Sequence, residues 1–138
     1  MSVAQNLLLH RFDQPPYARR RFLLNGRTMR DYASSVVARF RIKAASVDAP
    51  LNSLSGGNVQ RTALARELSD DLKILIVANP CFGLDFSATA EMRAAFLAAR
   101  NRGAAILLIS EDLDEILELS DRVLVMSNGA FNYDSPRA

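Results

Sequence analysis

The hydrophobic rhythm of the chain changes near residue 70. Before that point apolar residues recur at three- and four-residue steps. In "GRTMRDYASSVVARFRI", Met29, Tyr32, Ala33, Val36, Val37 and Phe40 fall on one stripe, the spacing of a helix with one buried face. "SVAQNLLLHRF" reads as a shorter apolar helix that "PPYA" breaks, and no part of residues 1–69 gives a convincing strand. Beyond residue 70, "KILIVA" (73–78), "AAILLIS" (104–110) and "RVLVMS" (122–127) are apolar runs of strand length. Between the first two, "FSATAEMRAAFLAARNRG" lines up Ala88, Met92, Ala95, Phe96 and Ala99 and stops at Gly103. "EDLDEILELS" follows as a short helix with Leu113, Ile116 and Leu117 inward, and the third run ends at the turn Asn128-Gly129. Strands apolar on both faces and separated by helices predict a parallel sheet covered on both sides, with right-handed crossovers. The expected fold is α/β, with a helical part (1–69) ahead of an α/β part (70–138) as subdomains of one unit.

Composition narrows the function classes. The 138 residues suffice for one core, and 17 basic against 15 acidic residues give a net charge of only +2, which does not point to nucleic acid. The one basic run, Arg19 to Arg21, reads as a solvated loop or as a face for phosphates or an acidic partner. A single cysteine, Cys81, excludes an internal disulfide and a cysteine-rich metal site, and is expected as a small buried side chain near a strand end. The only histidine, His10, is expected on a surface helix. The longest apolar runs fall far short of the roughly 20 residues that span a bilayer, and no signal peptide opens the sequence.

The stretch "LNSLSGGNVQRTALAREL" (51–68) sets Gly56 and Gly57 at the start of a helical pattern, although glycine costs a helix roughly 1 kcal/mol relative to alanine. The first N–H groups of a helix have no intrahelical partner and carry the positive end of its dipole. Two missing side chains bare those groups, and Ser55 and Asn58 add a hydroxyl and an amide, so the pattern suits phosphate. A capped helix after a flexible turn is the plainer alternative.

"LSGGNVQR", followed by "KILIVANPCFGLD" and then "AAILLISEDLDEILELSDRVLVMSNG", resembles the ATP-binding-cassette (ABC) ATPases, with signature motif, Walker B strand, D-loop and switch region in that family's order. "SVAQNLLL" and the arginine-containing segment after it resemble the helical subdomain of the second cassette in tandem-cassette importers of ribose-type sugars and nucleosides, and the ending "LSGGN" points the same way. The resemblance implies a partial P-loop NTPase fold, with the signature in residues 1–69 and the C-terminal part of the RecA-like core in 70–138. In that family two cassettes pack head to tail, so Ser55, Gly56, Gly57 and Asn58 are expected to cap ATP held by a partner cassette, with Gln60 helping to position them. Asp85 in "FGLD" matches the D-loop aspartate that contacts the partner across the dimer seam, and is also a favourable helix-start charge.

A nucleotide site of this family also needs a Gly-x-x-x-x-Gly-Lys-Ser/Thr loop, and the six glycines and two lysines supply none. The resemblance therefore implies a fragment that starts past the Q-loop, with apolar sheet surface and an open edge that favour self-association. Where the family's Walker B strand ends in aspartate and glutamate, this chain has Ala78 and Asn79, and where its switch histidine stands this chain has Glu111. Neither Ala78 nor Asn79 can serve as a base or carry charge toward magnesium. The chain by itself is expected to be inactive and to bind no nucleotide, with ATP and Mg²⁺ entering only in an assembly with the partner cassette and transmembrane permease subunits, on the cytoplasmic face of the membrane. Two other readings are a cassette ATPase of DNA maintenance and a regulatory or dimerisation module without catalysis. The near-neutral charge and the absence of a coiled-coil insertion weigh against the first of these.

Overall fold

The computed structural model describes residues 1–20, 23–68 and 72–136. The chain divides into two compact units, Met1–Asp71 and Leu72–Ala138. The expected boundary between residues 69 and 70, and Arg21 of the arginine run, lie outside the described residues.

The first unit is built on three helices, α1 (Val3–Leu7), α2 (Gly26–Arg39) and α3 (Gly56–Glu67). Ser2 and Gln5 close a reciprocal capping box at the start of α1: the Ser2 hydroxyl accepts from the Gln5 amide, and the Gln5 side chain accepts from the Ser2 amide. Asn25 caps α2 by accepting from the Thr28 amide. Helix α1 packs on both α2 and α3. Val3, Ala4, Leu7, Ala33, Val36, Ile42 and Ala65 form the shared core, with Tyr32, Val37 and Phe40 of the predicted stripe packed against it. Segment 40–50 is strapped to α1 by bonds from the Val3 and Ala4 amides to Ala49 and Val47. Two details depart from the sequence reading. Ala18–Arg19 (β1) and Leu23–Leu24 (β2) form a small antiparallel ladder, too short to leave a period in the sequence. His10 lies in the turns after α1 rather than on a helix, exposed and 3.4 Å from Glu67.

The second unit starts with β3 (Ile74–Ala78) and β4 (Ala105–Ile109), parallel and in register from Ile74 opposite Ala105 to Ala78 opposite Ile109. Helix α4 (Phe86–Asn101) connects them and buries Ala88, Met92, Phe96 and Ala99 as the stripe predicts, with Leu75 and Ala104 also buried. Gly103 stops it with φ +95°, a conformation that suits glycine. The sheet is covered on one face only, which corrects the periodicity-based expectation of cover on both sides and agrees with the open apolar sheet surface that the resemblance implies. Ile74 (70% exposed), Ile76 (67%), Leu107 (52%) and Ile109 (53%) alternate with the inward residues along the same two strands and face outward.

Two further expectations are corrected. The third apolar run, β5 (Arg122–Ser127), does not join the parallel sheet; it pairs antiparallel with β6 (Ala130–Pro136) through Asn128 and Gly129, both at positive φ. That dipeptide favours a two-residue hairpin whose twist matches its strands, so local turn chemistry decided the pairing. Helix α5 (Leu113–Leu119) does not turn Leu113 and Leu117 inward: both are exposed, and its fully buried side chain is Glu115. The reason lies on α4, whose Arg93 binds Glu118 and Asp112 of the α5 region, so a polar face of α5 is the one drawn in.

Candidate functional site

The sequence-predicted residues fall at two places, one in each unit. At the first, α3 begins with Ser55 as its N-cap residue and Gly56 and Gly57 as its first helical positions. Ser55 occupies the N-cap without making the usual cap bond; its hydroxyl oxygen instead accepts from Asn58 Nδ2 at 2.8 Å. Asn58 Oδ1 in turn accepts from the Lys43 amide at 2.7 Å. The Asn58 and Val59 amides both bond to the Ser55 carbonyl, which leaves the amides of Gly56 and Gly57 without a hydrogen-bond partner among the described residues. The Thr62 hydroxyl, buried, donates to the Asn58 carbonyl and holds the first turn. Gln60 sits one turn further in, half-buried.

Gly56 is not required by the packing. A Cβ built on it meets nothing within 4 Å, and its φ lies outside the positive range that alanine avoids. The fold would accept a side chain there, and what glycine provides is open access to two amides. Around this opening the groups on offer are donors: two backbone N–H groups, the positive end of a 12-residue helix, and a serine whose oxygen already accepts a bond. Such a set fits a phosphate and repels a cation.

The second place lies at the C-terminal ends of β3 and β4, where parallel α/β sheets present their ligands. Here the structure brings Asn79 and Glu111 together: Asn79 Oδ1 accepts from the Glu111 amide at 3.3 Å, and the Asn79 amide donates to the Ile109 carbonyl at 2.8 Å. Asn79 stands at φ +45°, a left-handed position that asparagine tolerates better than most residues. Its side chain is thus employed in joining two strand ends. Ala78, exposed at the last position of β3, offers no polar group. No acidic side chain stands at 78 or 79, so these residues do not fit magnesium.

Asp85 follows, as the N-cap of α4; its carboxylate accepts from the Ala88 amide at 2.8 Å. Between them, Cys81 is half-buried rather than fully buried, and its thiol is pushed up to about 12, first by burial and then by the Glu115 carboxylate beside it. A thiol so protonated is a poor nucleophile. The Lys43 amide and Thr62 complete the α3 arrangement and were not singled out from the sequence; a backbone donor leaves no mark in residue type.

No family model matches the chain. Solved structures identify the fold. The structure superposes with a TM-score of 0.80 on a dimeric, post-hydrolysis state of the ATP-binding cassette MJ0796 bound to ADP and Pi, at 18% identity, covering 99% of this chain and 56% of that one. The cassette MJ1267 gives a TM-score of 0.73 at 22% identity, with the same coverage. The fold is that of an ATP-binding cassette, in part.

Sequence relatives place it more narrowly. The chain is 37% identical to the arabinose import ATP-binding protein AraG 2 of Burkholderia thailandensis, over 93% of this chain and 24% of the relative. It is 36% identical to the nucleoside import ATP-binding protein NupA of Lactococcus lactis subsp. cremoris over 94% and 25% of the two chains. With the glucose import ATP-binding protein TsgD13 of Haloferax volcanii the figures are 40% over 78% and 20%. The chain thus spans about a quarter of the length of these curated relatives. By sequence and by fold it is a homologue of the ABC import ATP-binding proteins of sugars and nucleosides.

Proposed function

We propose that the chain acts as part of the ATP-binding subunit of a sugar or nucleoside importer, and that it presents the start of α3 to ATP held by a partner cassette. In this reading Met1–Asp71 is the helical subdomain with the signature, and Leu72–Ala138 is the C-terminal part of the core. The observation that carries it is Gly56, a glycine that the fold does not need, at the mouth of a donor-only opening. When ATP and Mg²⁺ are bound by the partner, the metal supplies charge neutralisation at the phosphates. Ser55, Gly56 and Gly57 add hydrogen bonds and the α3 dipole to the terminal phosphate.

The chain's own half-site is degenerate. Asn79 spends its side chain on Glu111, and Ala78 is apolar, so neither acts as a base or carries charge toward magnesium. Hydrolysis accordingly occurs at the partner's nucleotide. Asp85 faces the partner cassette while capping α4, and permease subunits hold the assembly at the cytoplasmic face of the membrane. Among the described residues no helix is long and apolar enough to cross a membrane.

The test is Gly57→Leu in the longer polypeptide assembled with a P-loop-bearing cassette. ATPase activity falls by at least about 10²-fold, the scale of losing a preorganised donor, because the added side chain keeps the phosphate away from the amides; wild-type activity would refute the role assigned to α3. The chain alone, titrated with MgATP, shows no binding, whereas micromolar affinity would contradict the degenerate half-site.

A further inference from the structure

We propose that Asn58 is a positioning residue that aims the Ser55 hydroxyl proton at the ligand. This rests on the role proposed above for the start of α3. The Lys43 backbone amide can only donate, so the Asn58 side-chain atom that meets it at 2.7 Å must be the oxygen. That fixes the orientation of the amide and sends Nδ2, also a donor only, to the Ser55 oxygen at 2.8 Å. Ser55 therefore accepts from Asn58, and its own proton must find another acceptor. The capping alternative, in which the serine oxygen takes an amide of the first turn, is not used.

Lys43 and Ser55 together hold the Asn58 amide in one orientation: its oxygen accepts from Lys43, and one of its two Nδ2 hydrogens is given to Ser55. The relay has a solid anchor. Lys43 follows Arg41, at φ +49°, and Ile42, which is buried in the core; Arg61 of α3 donates to the Phe40 carbonyl of the same segment. The loop after α2 and the first two turns of α3 are thus tied at two points, and Asn58 transmits the position of that loop to Ser55. An aspartate in place of Asn58 would accept from Lys43 equally well but would capture the Ser55 proton.

The experiment is a double-mutant cycle with Ser55→Ala and Asn58→Leu, in the longer polypeptide paired with a P-loop-bearing cassette. It reads apparent MgATP affinity and kcat separately. Each single substitution weakens the response about tenfold, the scale of one hydrogen bond to a charged group, and the pair together weakens it no further than Ser55→Ala alone. Losses that multiply to about a hundredfold would show that Asn58 meets the nucleotide itself and would overturn the positioning role. An unchanged response in Ser55→Ala would instead remove the cradle, and the positioning role with it. A second measurement is independent of activity and of whether Asn58→Leu folds. In the NMR spectrum of this chain, Ser55→Ala shifts the Asn58 side-chain amide protons and speeds their exchange while the Lys43 amide stays in place; unmoved Asn58 protons would refute the bond.

Discussion

The start of α3 and the ends of β3 and β4 hold comparable sets of polar groups, yet the two places differ in what those groups are free to do. At α3 the side chains that bond to each other, Ser55 and Asn58, do so in a way that leaves two amides and one hydroxyl proton available. At the strand ends, Asn79 and Glu111 bond across the sheet and hold the backbone. One place is arranged to give hydrogen bonds outward, the other to keep its bonds at home. Residue type alone would have ranked them alike, since each has an asparagine beside a small residue. The difference lies in acceptors already filled and in a glycine with nothing above it.

That contrast can be broken by substitution. The largest expected effect on stability is at Asn79: Asn79→Ala costs about 1–2 kcal/mol in the second unit, from the lost bond to Glu111 and from alanine at positive φ. Asn79→Gly recovers the backbone part, and urea denaturation compares the two. Equal losses would mean that the left-handed conformation contributes nothing. Next comes Asp85→Ala, which removes the α4 cap and costs about 1 kcal/mol, while Asp85→Asn costs less. Thermal melting of the three forms checks this ranking.

Smaller still is the pH effect of Glu67. Burial works to raise its carboxyl, but hydrogen bonds from Arg66 and His10 outweigh burial and hold it below the ordinary carboxylate range. A depressed folded value means that the carboxylate stabilises the fold at neutral pH, and that this contribution is lost as pH falls through the folded value. Glu67 is partly exposed, so solvent screening limits the effect to a few tenths of a kcal/mol. Glu67→Gln should flatten the acid side of the stability profile by that amount, and an unchanged profile would remove the pair from the account.

How much of this was legible in the sequence depended on whether the signal was periodic. The stripes of α2 and α4 are long enough to fix their buried faces, and Val36, Met92 and Phe96 lie where the spacing puts them. Helix α5, at seven residues, is too short for its leucines to outvote a charged partner, and Arg93 on α4 turned its polar face inward. Glu115 is buried there with one oxygen unpartnered, and the Arg93 Nε on α4 is likewise buried and unpartnered, which no hydrophobic count predicts. The run 122–127 matches the other two apolar runs in composition, which alone places it in the same sheet; the Asn128-Gly129 turn after it is what assigns it to a hairpin. At the candidate site, Ser55, Gly56 and Gly57 were readable from residue type, whereas the donor from Lys43 that orients Asn58 belongs to the backbone.

The most direct test of the central claim is Gly56→Ala, measured twice. In this chain alone the substitution should leave the fold intact and raise stability, by up to about 1 kcal/mol, because the added methyl meets open space and the unfolded chain loses freedom. In the assembly with a nucleotide-bearing partner cassette it should weaken MgATP-dependent pairing. A variant that is destabilised alone, or one that pairs as well as the parent, would contradict the claim that this glycine serves a ligand rather than the fold.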